Sequence, residues 1–230
     1  MCSIILRFSE DGALIGANRD EMLARAWDKP AAWWPKLPGV VAGRDRTGGG
    51  TWLGVNRHGL VAAVLNRHGT LGPAPGKNSR GELPLLALAE TGLEQAAEKI
   101  RALDAGRYRS FNLVLADATG GIFFAGLENG KPRAQELGRG VWMITSGEVN
   151  DPASLRIARH LPKFAAAPAE DWTRLLADNA PPAESALNIP PSNGFGTVCS
   201  AFITLRPGEA RWLFAGGAPD IAPFQPVVSA

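Results

Sequence analysis

One stretch decides the predicted fold: MCSIILRFSEDGALIGANRDE, residues 1–21. The apolar run that begins at Cys2 predicts a strand over residues 2–8, and the Ser-Glu-Asp-Gly that follows it predicts a turn. A second strand is predicted over residues 13–17, and the polar tetrad Asn-Arg-Asp-Glu follows at 18–21. Because a tight hairpin returns the chain to its starting point, we expect this tetrad to lie beside Cys2.

Cys2 is the first candidate nucleophile. Removal of Met1 is favoured by a small second side chain, and it would give Cys2 a free α-amine as well as a thiol. The amine has a reference pKa of about 7.7–8.0 and the thiol about 8.5, so both titrate near neutral pH. The amine could then take the proton of the thiol without help from another side chain. The alternative is a cysteine that only begins the first strand, since free Cys is often buried and inert.

Composition narrows the class of protein. A chain of 230 residues with 45% hydrophobic and 20% charged residues fits one domain, residues 1–230. A net charge of +2 with scattered basic residues argues against nucleic-acid binding. We expect no membrane span, because no apolar run approaches the roughly 20 residues that cross a bilayer. We expect no secretory signal, because Arg7, Glu10 and Asp11 interrupt the N-terminal apolar stretch, and we therefore predict a cytoplasmic protein. The two cysteines form neither a disulfide framework nor a zinc site, so no metal is predicted.

The remaining pattern predicts an α+β fold with mostly antiparallel sheets, because strands, paired helices, strands, paired helices and strands follow one another. Ser79-Arg80-Gly81-Glu82 predicts a capping box at the start of the first helix. Residues 67–81 are predicted to form an exposed loop. Residues 181–191 are predicted to form a linker that is too short to separate two domains. Helices are predicted at 83–90, 93–103, 152–164 and 170–178. Strands are predicted at 40–43, 51–55, 60–65, 111–116, 121–127, 134–137, 141–145, 196–205 and 210–215.

Three segments resemble the NRDE family, also called the TANGO2 (transport and Golgi organization 2) family: Met1-Cys2, Asn18–Glu21 and Gly49-Gly50-Thr51-Trp52. More distantly, the chain resembles the bile-salt hydrolase and penicillin V acylase branch of the N-terminal nucleophile (Ntn) hydrolases. The resemblance implies a four-layer α/β/β/α sandwich. Family members are implicated in intracellular haem trafficking and, in eukaryotes, in Golgi organisation and lipid metabolism. No established reaction comes with the family.

The resemblance to the acylases implies roles for several site residues. Asp20 would hydrogen-bond the N-terminal amine and orient it as the base, and Asn66 would help to form an oxyanion hole. The second oxyanion Asn of the acylases is replaced here by Ser146, a shorter and less directed donor. The acylases also carry an Arg where this chain has Ala17, so the role of Arg19 cannot be copied; its guanidinium suits a thiolate or a substrate carboxylate. The alternative for Asp20 and Asn66 is a turn-capping role.

The remaining candidates concern ligand binding. Trp52 suits the wall of a pocket for a flat or apolar ligand, although it needs no ligand if it is a core residue. His68 follows Asn66 by two residues and is a candidate axial ligand for haem iron, although a lone His is more often no ligand. We place Asn18 and Ser146 in the same ligand-binding set. Two functions stay open: a cysteine Ntn hydrolase acting on an amide or related acyl bond, which requires no cofactor, and a non-catalytic carrier of haem or a lipid ligand.

Overall fold

The computed structural model of the protein describes residues 2–227, so Met1 and its predicted removal lie outside the described residues. Among residues 2–227, no helix has the length and apolar character needed to cross a membrane. The strands are β1 Ser3–Ser9, β2 Gly12–Met22, β3 Trp27–Ala31, β4 Val40–Asp45, β5 Leu53–Asn56, β6 Val61–Asn66, β7 Phe111–Ala116, β8 Gly121–Gly126, β9 Arg133–Leu137, β10 Gly140–Ile144, β11 Phe195–Arg206, β12 Glu209–Ala215 and β13 Phe224–Pro226. The α-helices are α1 Glu82–Leu88, α2 Leu93–Arg101, α3 Leu155–Ala166 and α4 Trp172–Leu176.

The described chain divides into two compact units, the first formed by residues 2–25 with 139–227 and the second by residues 26–138. The first unit holds a sheet with strand order β10-β1-β2-β11-β12-β13, and the second holds a sheet with order β3-β4-β5-β6-β7-β8-β9. The strand pairs that form these sheets are antiparallel, which confirms the predicted α+β class. The prediction of a single domain stays a prediction.

In the first unit, helices α3 and α4 cover one face of the sheet. Phe164 of α3 and Trp172 of α4 pack edge to face at 4.9 Å between ring centroids, and Trp172 also contacts Phe202 of β11. A Cβ at Gly16 of β2 would lie 3.3 Å from the Trp172 ring, so glycine lets the helix approach the strand closely. Since side chains alternate along a strand, Asn18 and Asp20 point to this same helix-covered face.

In the second unit, α1 and α2 pack on the sheet around a core that includes Leu83, Ile100 and Phe111. The predicted hairpin turn between β5 and β6 is confirmed. The carbonyl oxygen of the Asn56 side chain accepts hydrogen bonds from the backbone N–H groups of His58 and Leu60, at 2.9 and 3.1 Å. Its amide nitrogen donates to two backbone carbonyls at the end of α1, so one buried residue fixes both a turn and a helix end.

Several local predictions are corrected. The tetrad at 18–21 does not follow a strand but continues β2, which extends to Met22. The capping box is wrong: Gly81 is the N-cap residue and makes no side-chain cap bond, while the Glu82 carboxylate accepts hydrogen bonds from Asn78 and Tyr108. Two strands were not predicted, namely β3 and β13.

Candidate active site

The β1–β2 hairpin places Cys2 beside the polar tetrad, as expected. The last cross-strand pair is Ser3 with Asn18, so the next position brings Cys2 opposite Arg19. The Cys2 thiol donates a weak hydrogen bond to the backbone carbonyl of Asp20, with 3.6 Å between Sγ and the oxygen. Two predicted site residues therefore meet at the start of the chain.

A bulge in β11 divides the side chains around Cys2 between the two faces of the sheet. Thr197 pairs with Asp20, and Cys199 pairs with Arg19, so the register shifts at Val198. Thr197 and Cys199 are two residues apart, yet the extra residue turns them to opposite faces. Thr197 joins Asp20 on the helix-covered face, and Cys199 joins Arg19 on the other.

The Asp20 carboxylate is inaccessible to solvent and is held on both oxygens. Arg156 of α3 lies 3.2 Å from Oδ2, and the Thr197 hydroxyl donates to Oδ1 at 2.6 Å. Burial raises the pKa of the Asp20 carboxyl, while the Arg156 guanidinium and the Thr197 hydrogen bond act against that rise. Asp20 is therefore fixed in orientation by two separate elements of the unit.

The surroundings of Cys2 favour the protonated thiol over the thiolate. Burial raises the pKa of Cys2 above its usual value, and the negative charge of Asp20 raises it further. The hydrogen bond to the Asp20 carbonyl and the charge of Arg19 only partly oppose this rise. A nucleophile in this environment needs a base to remove its proton.

Arg19 is a buried cation between two thiols. It is 5% exposed, and its Nη2 lies 3.6 Å from Oε2 of Glu21, which supplies a counter-charge. Cys199, opposite Arg19 on β11, is fully buried, and burial raises the pKa of its thiol strongly. Cys199 thus has the character of an inert core thiol.

The Asn18 side chain makes three buried structural hydrogen bonds, and its ligand-binding role stays a prediction. Both hydrogens of its amide are used, in bonds from Nδ2 to the carbonyl oxygens of Leu176 at 2.9 Å and Leu187 at 3.0 Å. Its Oδ1 accepts a hydrogen bond from the Ser200 hydroxyl at 2.6 Å. Asn18 ties the end of α4 and the following segment to β2, as Asn56 does for α1 in the second unit.

Ser146 lies at the same end of the sheet as Cys2. Strands β1 and β10 pair through Ile4 and Ile144, and both Cys2 and Ser146 lie two residues beyond that pair. The segment after Ser146 folds back so that the Asn150 side chain bonds the backbone of β10, accepting from Met143 at 2.7 Å and donating to Val141 at 3.2 Å. Asn150 therefore supports the strand that carries Ser146.

The other predicted residues belong to the second unit. Trp52 is half-buried; its ring covers Gly43 and meets Trp27 edge to face at 5.8 Å. Asn66 is half-buried at the end of β6, and His68 is exposed in the turn that follows. Residues 2–227 contain no cluster of three or more His, Cys, Asp or Glu side chains arranged for a metal ion. The roles of Trp52, Asn66 and His68 stay predictions.

Sequence reasoning missed Arg156 and Thr197. Arg156 lies on a helix, where an arginine is expected to face solvent, so nothing in the sequence pointed to its burial against Asp20. Thr197 lies in the strand predicted at 196–205, where no motif singled it out. The bulge that aims its hydroxyl at Asp20 has no pattern in the sequence.

Solved structures similar to this one share its fold. A Caenorhabditis elegans N-acylethanolamine-hydrolyzing acid amidase ortholog has a TM-score of 0.62 and 11% identity, covering 91% of this chain and 94% of that chain. Penicillin V acylase from Agrobacterium tumefaciens has a TM-score of 0.55 and 12% identity, and the match covers 94% of this chain and 83% of the acylase. A variant of the conjugated bile acid hydrolase from Clostridium perfringens has a TM-score of 0.56 and 11% identity, and the match covers 99% of this chain and 96% of the hydrolase. At these identities the similarity concerns the fold alone, and it confirms the predicted Ntn-hydrolase-like class.

Sequence comparison gives the family. The Bos taurus transport and Golgi organization protein 2 homolog is 31% identical over 129 residues, which are 51% of this chain and 45% of that protein. The match therefore spans less than half the length of this relative. The family model described as transport and Golgi organisation 2 matches residues 1–170. With 170 of its 230 residues matched, this chain belongs to the transport and Golgi organisation 2 family.

Proposed function

We propose that this protein is an N-terminal cysteine hydrolase that cleaves an amide or related acyl bond of a small molecule. The observation that carries the proposal is the meeting of Cys2 with Asp20 at the end of the β1–β2 hairpin, with Sγ 3.6 Å from the Asp20 carbonyl oxygen. The fold supports it, since the similar solved structures include an amidase, an acylase and a bile acid hydrolase.

The chemistry begins with removal of Met1, which frees the α-amine of Cys2. The amine takes the thiol proton, and the sulfur attacks the carbonyl carbon of the substrate to form a tetrahedral oxyanion. Ser146, at the same end of the first unit's sheet as Cys2, is the proposed donor to that oxyanion. When the C–N bond breaks, the ammonium returns the proton to the leaving amine and an S-acyl cysteine remains. Water, deprotonated by the same amine, then attacks the thioester and releases a carboxylic acid.

The raised pKa of Cys2 fits a mechanism in which a base takes the proton during attack. Arg19 lies opposite Cys2 and is a candidate to stabilise negative charge on the sulfur.

Turnover tests the proposal. Protein whose N-terminus is Cys2 would be mixed with N-acylethanolamines, penicillin V and amino-acid conjugates of bile acids, and the released amine would be measured. We expect release with at least one class, loss of release in Cys2→Ala, and retention in Cys199→Ala, which removes the buried thiol. No release from any substrate, or equal release in Cys2→Ala, would contradict the proposal.

A second candidate is a non-catalytic carrier of haem or another flat apolar ligand. The observation that favours it is the half-buried pair Trp27 and Trp52, which leaves aromatic surface open in the second unit. Titration with haemin would then saturate at one site per chain and weaken in Trp52→Ala. A shift of the absorption band in His68→Ala would identify His68 as the axial ligand. Binding that never saturates would exclude this candidate.

A further inference from the structure

The ion pair between Asp20 and Arg156 joins β2 to α3 inside the first unit. Nη1 of Arg156 lies 3.2 Å from Oδ2 of Asp20 and also donates to the Ser3 hydroxyl oxygen at 3.1 Å. The Asp20 side chain is 0% exposed and the Arg156 side chain 9%. A buried ion pair is a poor device for stability, because desolvation of both charges offsets their attraction. Because this ion pair is buried beside Cys2, we consider its effect on the orientation of the Asp20 carboxylate.

Thr197 fixes the second oxygen of the same carboxylate. The Thr197 hydroxyl oxygen accepts the backbone N–H of Ile189 at 2.7 Å, and the hydroxyl donates its one proton to Oδ1 of Asp20 at 2.6 Å. The bond from Ile189 directs that proton toward Asp20, since a hydroxyl has a single hydrogen to give. The bulge at Val198 is what turns Thr197 to this face, and bulges often re-aim a side chain beside an active site.

We infer that Arg156 and Thr197 are positioning residues, which hold the Asp20 carboxylate in the one orientation that receives the α-amine of Cys2. The inference rests on the proposed function for its catalytic meaning. Each residue bonds one carboxylate oxygen and comes from a different element, so together they prevent rotation of the carboxylate. An amine hydrogen-bonded to a fixed carboxylate keeps its lone pair directed, and a free carboxylate would let that direction vary.

The charged and titratable groups around this centre come from each element that packs on it. Helix α3 contributes Arg156, β2 contributes Arg19 and Glu21, and β11 contributes Cys199. Cys2 itself lies at the start of β1. The positive charge of Arg156 is the one in direct contact with the carboxylate, so its removal is the most informative change.

The test measures the rate at which iodoacetamide alkylates Cys2 in protein that begins at Cys2, read from the N-terminal peptide by mass spectrometry. We expect Arg156→Met and Thr197→Val each to lower the rate at pH 7 about tenfold or more, part of the 10²–10⁴ that a positioned base supplies. The conservative variants Arg156→Lys and Thr197→Ser should recover most of the rate. Arg159→Met is the matched control, because Arg159 lies on the same helix as Arg156 and its guanidinium forms an ion pair with Asp178, at 3.3 Å.

A double-mutant cycle separates positioning from folding. In Asp20→Asn, the further change Arg156→Met should have no effect on the alkylation rate, because the carboxylate that it positions is gone. The double variant also buries no unpaired charge, so it provides a folded reference if Arg156→Met unfolds. Additive effects, or a loss in Arg156→Met no larger than in Arg159→Met, would overturn the inference.

Turnover by the same variants distinguishes this inference from the proposed function. Amide hydrolysis that persists unchanged in Arg156→Met would refute positioning and leave the hydrolase standing. Cys2 alkylation that depends on Arg156, in a protein that hydrolyses no substrate, would support positioning and refute the hydrolase.

Discussion

Replacement of Asn18 by alanine tests the structural role that its contacts assign. The change removes two donors from the buried carbonyls of Leu176 and Leu187. A buried polar group left without its partner costs about 1–3 kcal/mol. The Ser200 hydroxyl loses its bond to the Asn18 side chain but can still donate to the Ala17 carbonyl oxygen, at 3.2 Å. Ser200 therefore adds little to the loss of stability. For the two carbonyls, we expect the free energy of unfolding to fall by about 3 kcal/mol, a large part of the 5–15 kcal/mol typical of a domain.

The assay is urea unfolding followed by tryptophan fluorescence, since the fully buried Trp172 begins the helix that Asn18 anchors. The matched control is Asn179→Ala, because Asn179 is exposed and its side chain donates to the Asp220 carboxylate at 2.9 Å. We expect that control to change the free energy of unfolding by less than about 0.5 kcal/mol. A loss in Asn18→Ala below about 1 kcal/mol, or equal to that of the control, would refute the structural role.

Three further predictions concern the chain start and a buried histidine. N-terminal sequencing of untagged protein should begin at Cys2, and fully retained Met1 would rule out the amine as base. Cys2 should be alkylated faster than Cys199 at pH 7, because Cys2 is only half-buried and Cys199 is not exposed; equal labelling would contradict this. His160 is fully buried and its pKa is lowered by burial. The unfolded chain therefore binds the proton more readily, and the free energy of unfolding should fall below about pH 6.5, by at most about 1.4 kcal/mol per pH unit. The same titration of His160→Gln should lose that slope, and an unchanged slope would assign it to another group.

Local patterns predicted much of the fold. The β1–β2 hairpin, the turn at Asn56 and the bounds of β7 followed from apolar runs and turn residues. Strand β3 was missed because Pro30 and its polar neighbours lack the strand pattern, and its pairing with β4 is what makes it a strand. The capping box failed because the partners of Glu82 come from the tertiary fold and not from its own helix.

Only the part of the site that lies on the β1–β2 hairpin could be predicted from the sequence. The hairpin register brings Cys2 opposite Arg19 and next to Asp20, so the sequence sufficed to place Cys2 beside the tetrad. Arg156 and Thr197 lie 136 and 177 residues from Asp20 along the chain, and no spacing rule relates such distant positions. Asn18 looked like a site residue because it stands in the tetrad, whereas the packing of α4 on the sheet uses its amide.

The proposed hydrolysis requires that Cys2 becomes acylated. Protein beginning at Cys2 would be mixed with the N-acyl substrates named above, quenched in acid and weighed intact by mass spectrometry. We expect a mass increase equal to the acyl group minus one hydrogen, located by digestion on the peptide that starts at Cys2, and absent when Met1 is retained. An unmodified Cys2 with every substrate, or an adduct on Cys199 instead, would contradict it.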